Sequence, residues 1–208
     1  EDFPEAAAYY KRAMEMFERI HGPDHPDVAG SMNGLGTVCF SQGRYDEAEP
    51  LLARSLAIRE KVRGPEHRDV ALALNDLALV YSAQQRPADA EPLLQRAISI
   101  YEKVLGPEHP DLAASLNTLA LLYDQQGQHA RAQPLYARAL SICEKSLGPE
   151  HPIVATGVHN LADCLRCMGD LDAAEPLYVR AVAMREKALG PDHPDVAQSL
   201  NDLAVLYR

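Results

Sequence analysis

The sequence predicts an all-α protein, a solenoid of about ten helices arranged as antiparallel pairs. A short block of residues recurs five times at intervals of 42 residues, with no insertion or deletion. Between these blocks, apolar residues recur every three or four positions, which is the spacing of one helix face. No stretch shows the sustained apolar and polar alternation of a strand. A β-propeller, whose repeat has a similar length, is therefore excluded.

The recurring block reads Gly-Pro-acid-His, usually followed by Pro and Asp, and begins at Gly22, Gly64, Gly106, Gly148 and Gly190. Pro110 suits the first position of a helix, where its missing N–H costs nothing. Asp111 favours the positive end of that helix. The block histidines could suggest a metal site. Because one histidine accompanies each helix start, capping and packing between repeats explain them better.

Each repeat contains two helices. In the repeat 106–147 a first helix follows Asp111, Gly127 breaks the pattern, and a second apolar run begins at Ala132. A further proline near the start of each second helix predicts a late first turn or a slight kink; these are Pro50, Pro92, Pro134 and Pro176. The predicted array comprises a partial repeat 1–21, repeats 22–63, 64–105, 106–147 and 148–189, and a partial repeat 190–208. The partial repeats are expected to hold a lone second helix at about 5–20 and a lone first helix from about 195.

The motif Leu116-x-x-Leu119-Ala120-x-x-Tyr123, followed by Ala132-x-x-x-Tyr136 and Ala139, resembles the tetratricopeptide repeat. The 42-residue length, with the surplus after Ala139, is similar to the kinesin light chain type. The resemblance implies a right-handed superhelix that binds proteins and has no enzymatic activity. HEAT-like repeats have a similar length and are the alternative fold. Small residues at the helix contacts argue against them; these are Gly36, Ala48, Ala78, Ala90, Ala120, Ala132, Ala162 and Ala174.

Composition and charge limit the partners. The chain has 30 acidic and 20 basic residues, which argues weakly against nucleic acid as a ligand. No apolar run reaches the roughly 18 residues that span a bilayer, and no basic-then-apolar leader opens the sequence. The four cysteines follow no disulfide spacing, which indicates a reducing compartment such as the cytoplasm. No phosphate loop, nucleophile motif or isolated acid pair is present, so neither catalysis nor a cofactor is expected.

One position of the first helix carries an amide in most repeats. A carboxamide offers two donors and one acceptor, so a row of amides could hold the backbone of an extended peptide. The resemblance to kinesin light chains, which use groove asparagines for cargo peptides, supports this role. The alternative is that the amides link neighbouring helices or face solvent. With the variable residues around them, the candidate peptide-binding residues are Asn33, Asn75, Asn117, His159, Asn201, Leu79, Ser82, Leu121, Asp124, Asp163 and Arg166.

The pair Cys164-x-x-Cys167 resembles half of a zinc site. Zinc requires four ligands, and no second pair of suitable spacing exists in the sequence. Cys164 also replaces Leu122 and Val80 of other repeats, so it is interpreted as a small buried apolar residue. No metal site is therefore expected.

A structural role is the second function class that the sequence leaves open. The sequence begins within a repeat, with Phe3 at the position of Tyr45, and stops within a first helix at Tyr207 and Arg208. Terminal repeats normally carry a polar outer face, and neither end does so here. The alternative hypothesis is a structural, self-assembling segment of a larger multidomain protein that stacks end to end.

Overall fold

A computed structural model describes residues 3–207, and its helices follow the predicted repeat. They are α1 (Phe3–His21), α2 (Pro26–Ser41), α3 (Tyr45–Arg63), α4 (Arg68–Ala83), α5 (Pro87–Leu105), α6 (Pro110–Gln125), α7 (His129–Leu147), α8 (Pro152–Cys167), α9 (Leu171–Leu189) and α10 (Pro194–Leu206). Within residues 3–207 these ten helices are the only regular elements, which confirms the all-α prediction. Residues 1, 2 and 208 of the predicted partial repeats lie outside the described residues.

The chain divides into two compact units, residues 1–107 and residues 108–208. In each unit every helix packs mainly on its neighbours in the chain, as expected for helix pairs that stack in sequence order. The predicted boundaries of a single array stay a prediction. None of the helices within residues 3–207 combines the length and the apolar character that crossing a membrane requires.

The block histidines cap the first helices. In α2, α4, α6, α8 and α10 the histidine before the helix accepts a hydrogen bond at Nδ1 from the backbone N–H two residues further on, at 3.1–3.2 Å. This bond satisfies one of the N–H groups that a helix start leaves without a partner. The capping interpretation of the histidines is therefore confirmed at all five helix starts.

The acidic residue of each of the first four blocks forms an ion pair with the second helix that follows it. Four lysines near the ends of second helices pair with these acids, in the pairs Lys61–Asp24, Lys103–Glu66, Lys145–Glu108 and Lys187–Glu150. The pairs are exposed, so each contributes little to stability. The glycine of the block ends the preceding helix with a positive φ, as at Gly106 with φ 90°. Such a backbone conformation favours glycine over other residues.

Small residues allow the two helices of a repeat to approach closely. Gly36 of α2 lies against α3, and a Cβ added to it would come within 2.8 Å of the Leu52 side chain. Ala48 and Leu52 of α3 pack with Cys39 of α2 and with Val80 of the next first helix in one buried cluster. The alanines at the equivalent helix contacts are all buried; they are Ala78, Ala90, Ala120, Ala132, Ala162 and Ala174. The helix pair therefore depends on these short side chains.

The second proline of each repeat lies deeper in the helix than the sequence suggests. Pro50 is the sixth residue of α3, in its second turn, and Pro92, Pro134 and Pro176 occupy the same place in α5, α7 and α9. A proline here removes one intrahelical hydrogen bond, yet the helix continues through it. The expectation of a late first turn therefore differs from the structure by about one turn of helix.

Enlarging the buried small residue of α6 is expected to destabilise the chain. Ala120→Leu adds volume at a fully buried contact between α6 and α7, so the free energy of unfolding should fall by about 1–3 kcal/mol. Ala114→Leu is the matched control, because Ala114 is exposed on the same helix. Equal melting temperatures for the two variants would contradict this packing.

Removing one capping imidazole is also expected to destabilise its helix. His109→Ala deletes the acceptor for the backbone N–H of Asp111, so the free energy of unfolding should fall by about 1 kcal/mol. His109→Asn supplies another capping acceptor and should recover most of the loss. Urea unfolding measures all three proteins, and an asparagine variant as unstable as the alanine variant would argue against capping.

Candidate functional site

The recurring amide position lies in the middle of each first helix, at the edge of the packed interface. It is occupied by Asn33 of α2, Asn75 of α4, Asn117 of α6, His159 of α8 and Asn201 of α10. Asn75 is buried, Asn201 is exposed, and the other three are half-buried. A half-buried position can bond a neighbouring helix with one group and present another group to a ligand.

In the unit 1–107 the amide position links two repeats. Asn33 Nδ2 donates a hydrogen bond to Asp76 Oδ2 at 2.8 Å. Burial raises the pKa of the Asp76 carboxyl, and this hydrogen bond together with the charge of Arg59 offsets part of that rise. Asn33 therefore holds a carboxylate that lies next to Asn75 in the following repeat.

The same link recurs in the unit 108–208. Asn160 Nδ2 donates to Asn117 Oδ1 at 3.1 Å, and His159 Nε2 lies 3.4 Å from Asp202 Oδ2. In these pairs, as in Asn33 with Asp76, the partner lies 43 residues further on, which is one position later in the next repeat. The amide position thus has a linking role, as the alternative interpretation of the sequence proposed. Polar residues at this offset are the signal in the sequence that indicates such links.

Two carboxamide oxygens in the unit 1–107 have no hydrogen-bond partner. They are Oδ1 of Asn33 and Oδ1 of Asn75, and both are buried from solvent. A buried acceptor without a donor costs free energy, typically about 1–3 kcal/mol. Rotation of either side chain toward the surface would let a donor of a ligand satisfy the oxygen.

His159 is the centre of a polar cluster in the unit 108–208. Its Nε2 lies 3.3 Å from Asp163 Oδ2 as well as near Asp202, and its ring meets the ring of Tyr178 edge-on at 5.7 Å between centroids. The side chain is only 12% exposed, and Nδ1 is buried without a partner. The replacement of asparagine by histidine therefore brings two carboxylates together around one imidazole.

Asp163 and Arg166 belong to the same cluster. The Tyr178 hydroxyl donates to Asp163 Oδ1 and accepts from Arg166 Nε at 2.9 Å. Burial alone would raise the pKa of Asp163, but hydrogen bonds from His159, Tyr178 and Arg166 hold it at about 2. Burial and the hydrogen bond to Asp163 raise the pKa of Tyr178. Asp163 is therefore ionised, and Arg166 is held against the Tyr178 hydroxyl.

The remaining candidates lie on the same stripe of the first helices. Leu72, Asn75 and Leu79 follow one face of α4, at spacings of three and four residues. Leu72 is 44% exposed, and Leu79 and Ser82 are half-buried. On α6 the corresponding Leu121 is 37% exposed, whereas Asp124 is half-buried and bonded to His129 Nδ1. On α4 and α6, apolar and polar groups therefore alternate along this stripe, about one turn apart.

The comparison with family models decides the family. The tetratricopeptide repeat model matches residues 1–61, 28–103, 69–145, 125–187 and 153–208, which together span the chain. The chain belongs to the tetratricopeptide repeat family. This family is generally a non-enzymatic fold that serves as a scaffold for protein interactions. The HEAT-like alternative is thereby excluded, and the resemblance stated from the sequence is confirmed.

Solved structures similar to this chain cover all or most of its length. BtubC (BKLC) from P. vanneervenii is 23% identical, with 100% of this chain and 84% of that chain covered and a TM-score of 0.84. Two structures of a kinesin light chain-like protein of Podosopora anserina, with nearly identical TPR-like repeats, are each 28% identical. Their TM-scores are 0.74 and 0.72, and they cover 89% and 90% of this chain and 88% and 89% of theirs. A comparison with curated protein sequences gives no match.

Removing the Tyr178 hydroxyl is expected to change the pH dependence of stability. The pKa of Asp163 lies below its ordinary value of 3.8, so its stabilising effect is complete above pH 3.8 and is lost as the pH falls toward 2. Tyr178→Phe should raise that pKa and lower the free energy of unfolding by about 1 kcal/mol at pH 6. The difference in the free energy of unfolding between Tyr178→Phe and the parent protein should be smaller at pH 3 than at pH 6.

Urea unfolding at pH 6 and pH 3 measures this difference. The control is the Asp163→Asn protein. Adding Tyr178→Phe to it should lower the free energy of unfolding by the same amount at pH 6 and at pH 3. A difference that is as large at pH 3 as at pH 6 in the parent background would show that Asp163 does not depend on the tyrosine.

Proposed function

We propose that this tetratricopeptide array binds an extended segment of a partner protein along its first helices. The observation that carries the proposal is the stripe on α4, where Leu72 and Leu79 flank Asn75 on one helix face. The exposed Leu72 and the half-buried Leu79 offer apolar contacts for side chains, and the amide between them offers hydrogen bonds to a peptide backbone. The unpartnered oxygens of Asn33 and Asn75 support the same function, because a side-chain rotation that exposes them would let a peptide N–H satisfy them.

Linking repeats and binding peptide are alternative uses of Asn33. Its Nδ2 donates to Asp76, and its Oδ1 has no donor but is buried. A peptide N–H reaches this oxygen only after the carboxamide rotates, and that rotation breaks the bond to Asp76.

The proposed partner is a protein, and the proposed location is the cytoplasm. The four cysteines of the chain are free thiols, as in a reducing compartment. The acidic residues of the recurring blocks account for much of the net charge, and lysines of the second helices pair with four of these acids. The net charge is therefore a weak guide to the charge of the partner.

Loss of the central amide is expected to weaken peptide binding. A peptide array probed with the full chain supplies a ligand, and isothermal titration then compares the parent protein with Asn75→Ala. The affinity should fall by about 1 kcal/mol or more, or roughly fivefold, because a buried hydrogen bond to the peptide is lost. Gln95→Ala is the matched control, since Gln95 is an exposed amide on the second helix α5 that bonds Glu91.

Two results would contradict the proposal. Unchanged affinity in Asn75→Ala would remove the amide from the binding surface. Weakening by Gln95→Ala as large as that by Asn75→Ala would place the ligand on the second helices instead. Melting curves of both variants separate a loss of binding from a loss of folding.

End-to-end self-association is the competing proposal. Leu200 and Val205 of α10 and Tyr207, which follows this helix, are all exposed, and large exposed apolar side chains favour association. Light scattering over a concentration series distinguishes the two functions. A mass that stays monomeric at high concentration excludes self-stacking, whereas a mass that grows with concentration favours it.

A further inference from the structure

Three residues at one junction of the unit 108–208 depart from the repeat. Asp124 stands where the equivalent residues 42 positions away are Ser82 and Arg166. His129 stands where other repeats have Tyr45, Pro87 and Leu171, and Cys164 stands where they have Val38, Val80 and Leu122. No other repeat combines a carboxylate, an imidazole and a thiol at these three positions.

The fold brings these three residues together from three helices. Asp124 lies in the last turn of α6, His129 is the first residue of α7, and Cys164 lies in α8 of the next repeat. One potential ligand atom from each, a carboxylate oxygen, an imidazole nitrogen and Sγ, lies within 4.8 Å of the other two. The sequence places Cys164 near Cys167 but does not show that Asp124 and His129 lie close to Cys164.

We propose that Asp124, His129 and Cys164 bind a divalent transition-metal ion of the zinc type. Oxygen, nitrogen and sulfur ligands of this kind suit zinc, which takes four ligands in a tetrahedral arrangement. Three protein ligands leave the fourth position for water. The carboxylate and the imidazole are each about a quarter exposed, with side-chain exposures of 21% and 26%, so an ion can enter from solvent.

Two neighbouring groups, Asp163 and Cys167, are not part of the proposed ligand set. Asp163 is bonded to the Tyr178 hydroxyl and to Arg166, and Cys167 is exposed at the end of α8. A second group, His21, His25 and Asp27, also has ligand atoms within 4.8 Å of one another. It contains no thiol, the ligand type that favours zinc over harder cations. The junction of α6, α7 and α8 is therefore the stronger site.

A metal ion here would join two repeats. Its ligands come from both helices of the repeat 106–147 and from the first helix of the repeat 148–189. A structural ion contributes its binding free energy to folding, because the unfolded chain does not hold the ligands together. The site would thus stabilise a junction between repeats with a set of ligands that no other repeat has at these positions.

Cobalt binding tests the proposal on the reduced, metal-free full chain. Titration with Co²⁺ should produce visible bands of tetrahedral cobalt and a thiolate-to-cobalt band in the near ultraviolet, and Zn²⁺ should displace both at one equivalent. Cys164→Val installs the residue found 84 positions earlier, Val80, and Asp124→Ser installs the residue found 42 positions earlier, Ser82. Both variants are therefore expected to fold. Cys164→Val should lose the thiolate band, and Asp124→Ser should weaken Co²⁺ binding at least about tenfold.

The controls are Cys167→Ser and His21→Ala, which should both keep the spectrum and the affinity of the parent protein. Zinc should also raise the melting temperature of the parent protein but not that of Cys164→Val. Absence of the thiolate band in the parent protein at millimolar Co²⁺ would overturn the proposal, and so would a band that persists in Cys164→Val. If only Cys167→Ser lost the band, the thiol ligand would be Cys167 and the proposed site would be wrong.

Discussion

The close contact between the two helices of each repeat is the constraint on which the rest of the structure depends. At Gly36 the approach leaves no room for a Cβ beside Leu52, and alanines occupy the equivalent contacts of the other repeats. Because a helix pair packed at this distance has one register, each first helix presents the same positions at the same place in its repeat. A polar residue that recurs every 42 positions therefore recurs in space within each compact unit. The links between residues 43 apart follow directly from that register.

These links make the first helices part of the fold as well as the proposed binding surface. Asp76 would be a costly half-buried carboxylate without Asn33, because burial raises its pKa and the amide offsets part of that cost. In the unit 108–208, His159 takes the place of the amide and holds Asp163 and Asp202 instead. The two units therefore differ in the chemistry that they offer at the same position. In α4 the neutral amide of Asn75 lies between two leucines, whereas in α8 the equivalent His159 belongs to an ionised cluster with Arg166.

Local features could be predicted from the sequence, and contacts between distant residues could not. The helix starts followed from Gly, Pro and His in the recurring block, because capping involves residues only two positions apart. The depth of Pro50 was misplaced by a turn, since a helix start without a side-chain cap leaves little local signal. Tyr178 was missed as a partner of Asp163 because it lies 15 residues away on the second helix, where its position indicates only core packing. The cluster of Asp124, His129 and Cys164 was missed for the same reason, since its members come from three helices.

In a protein built from repeats, residues that depart from the repeat carry information that the repeat itself does not. A residue present in every repeat, such as the capping histidine, is explained by the fold. A departure at a single position can arise by drift and needs no function. Departures at several positions that meet in space are harder to attribute to drift, because each must be compatible with the others in one buried or half-buried place. His159 with Asp163 and Arg166 is one such group, and Asp124 with His129 and Cys164 is another. Both groups lie in the unit 108–208.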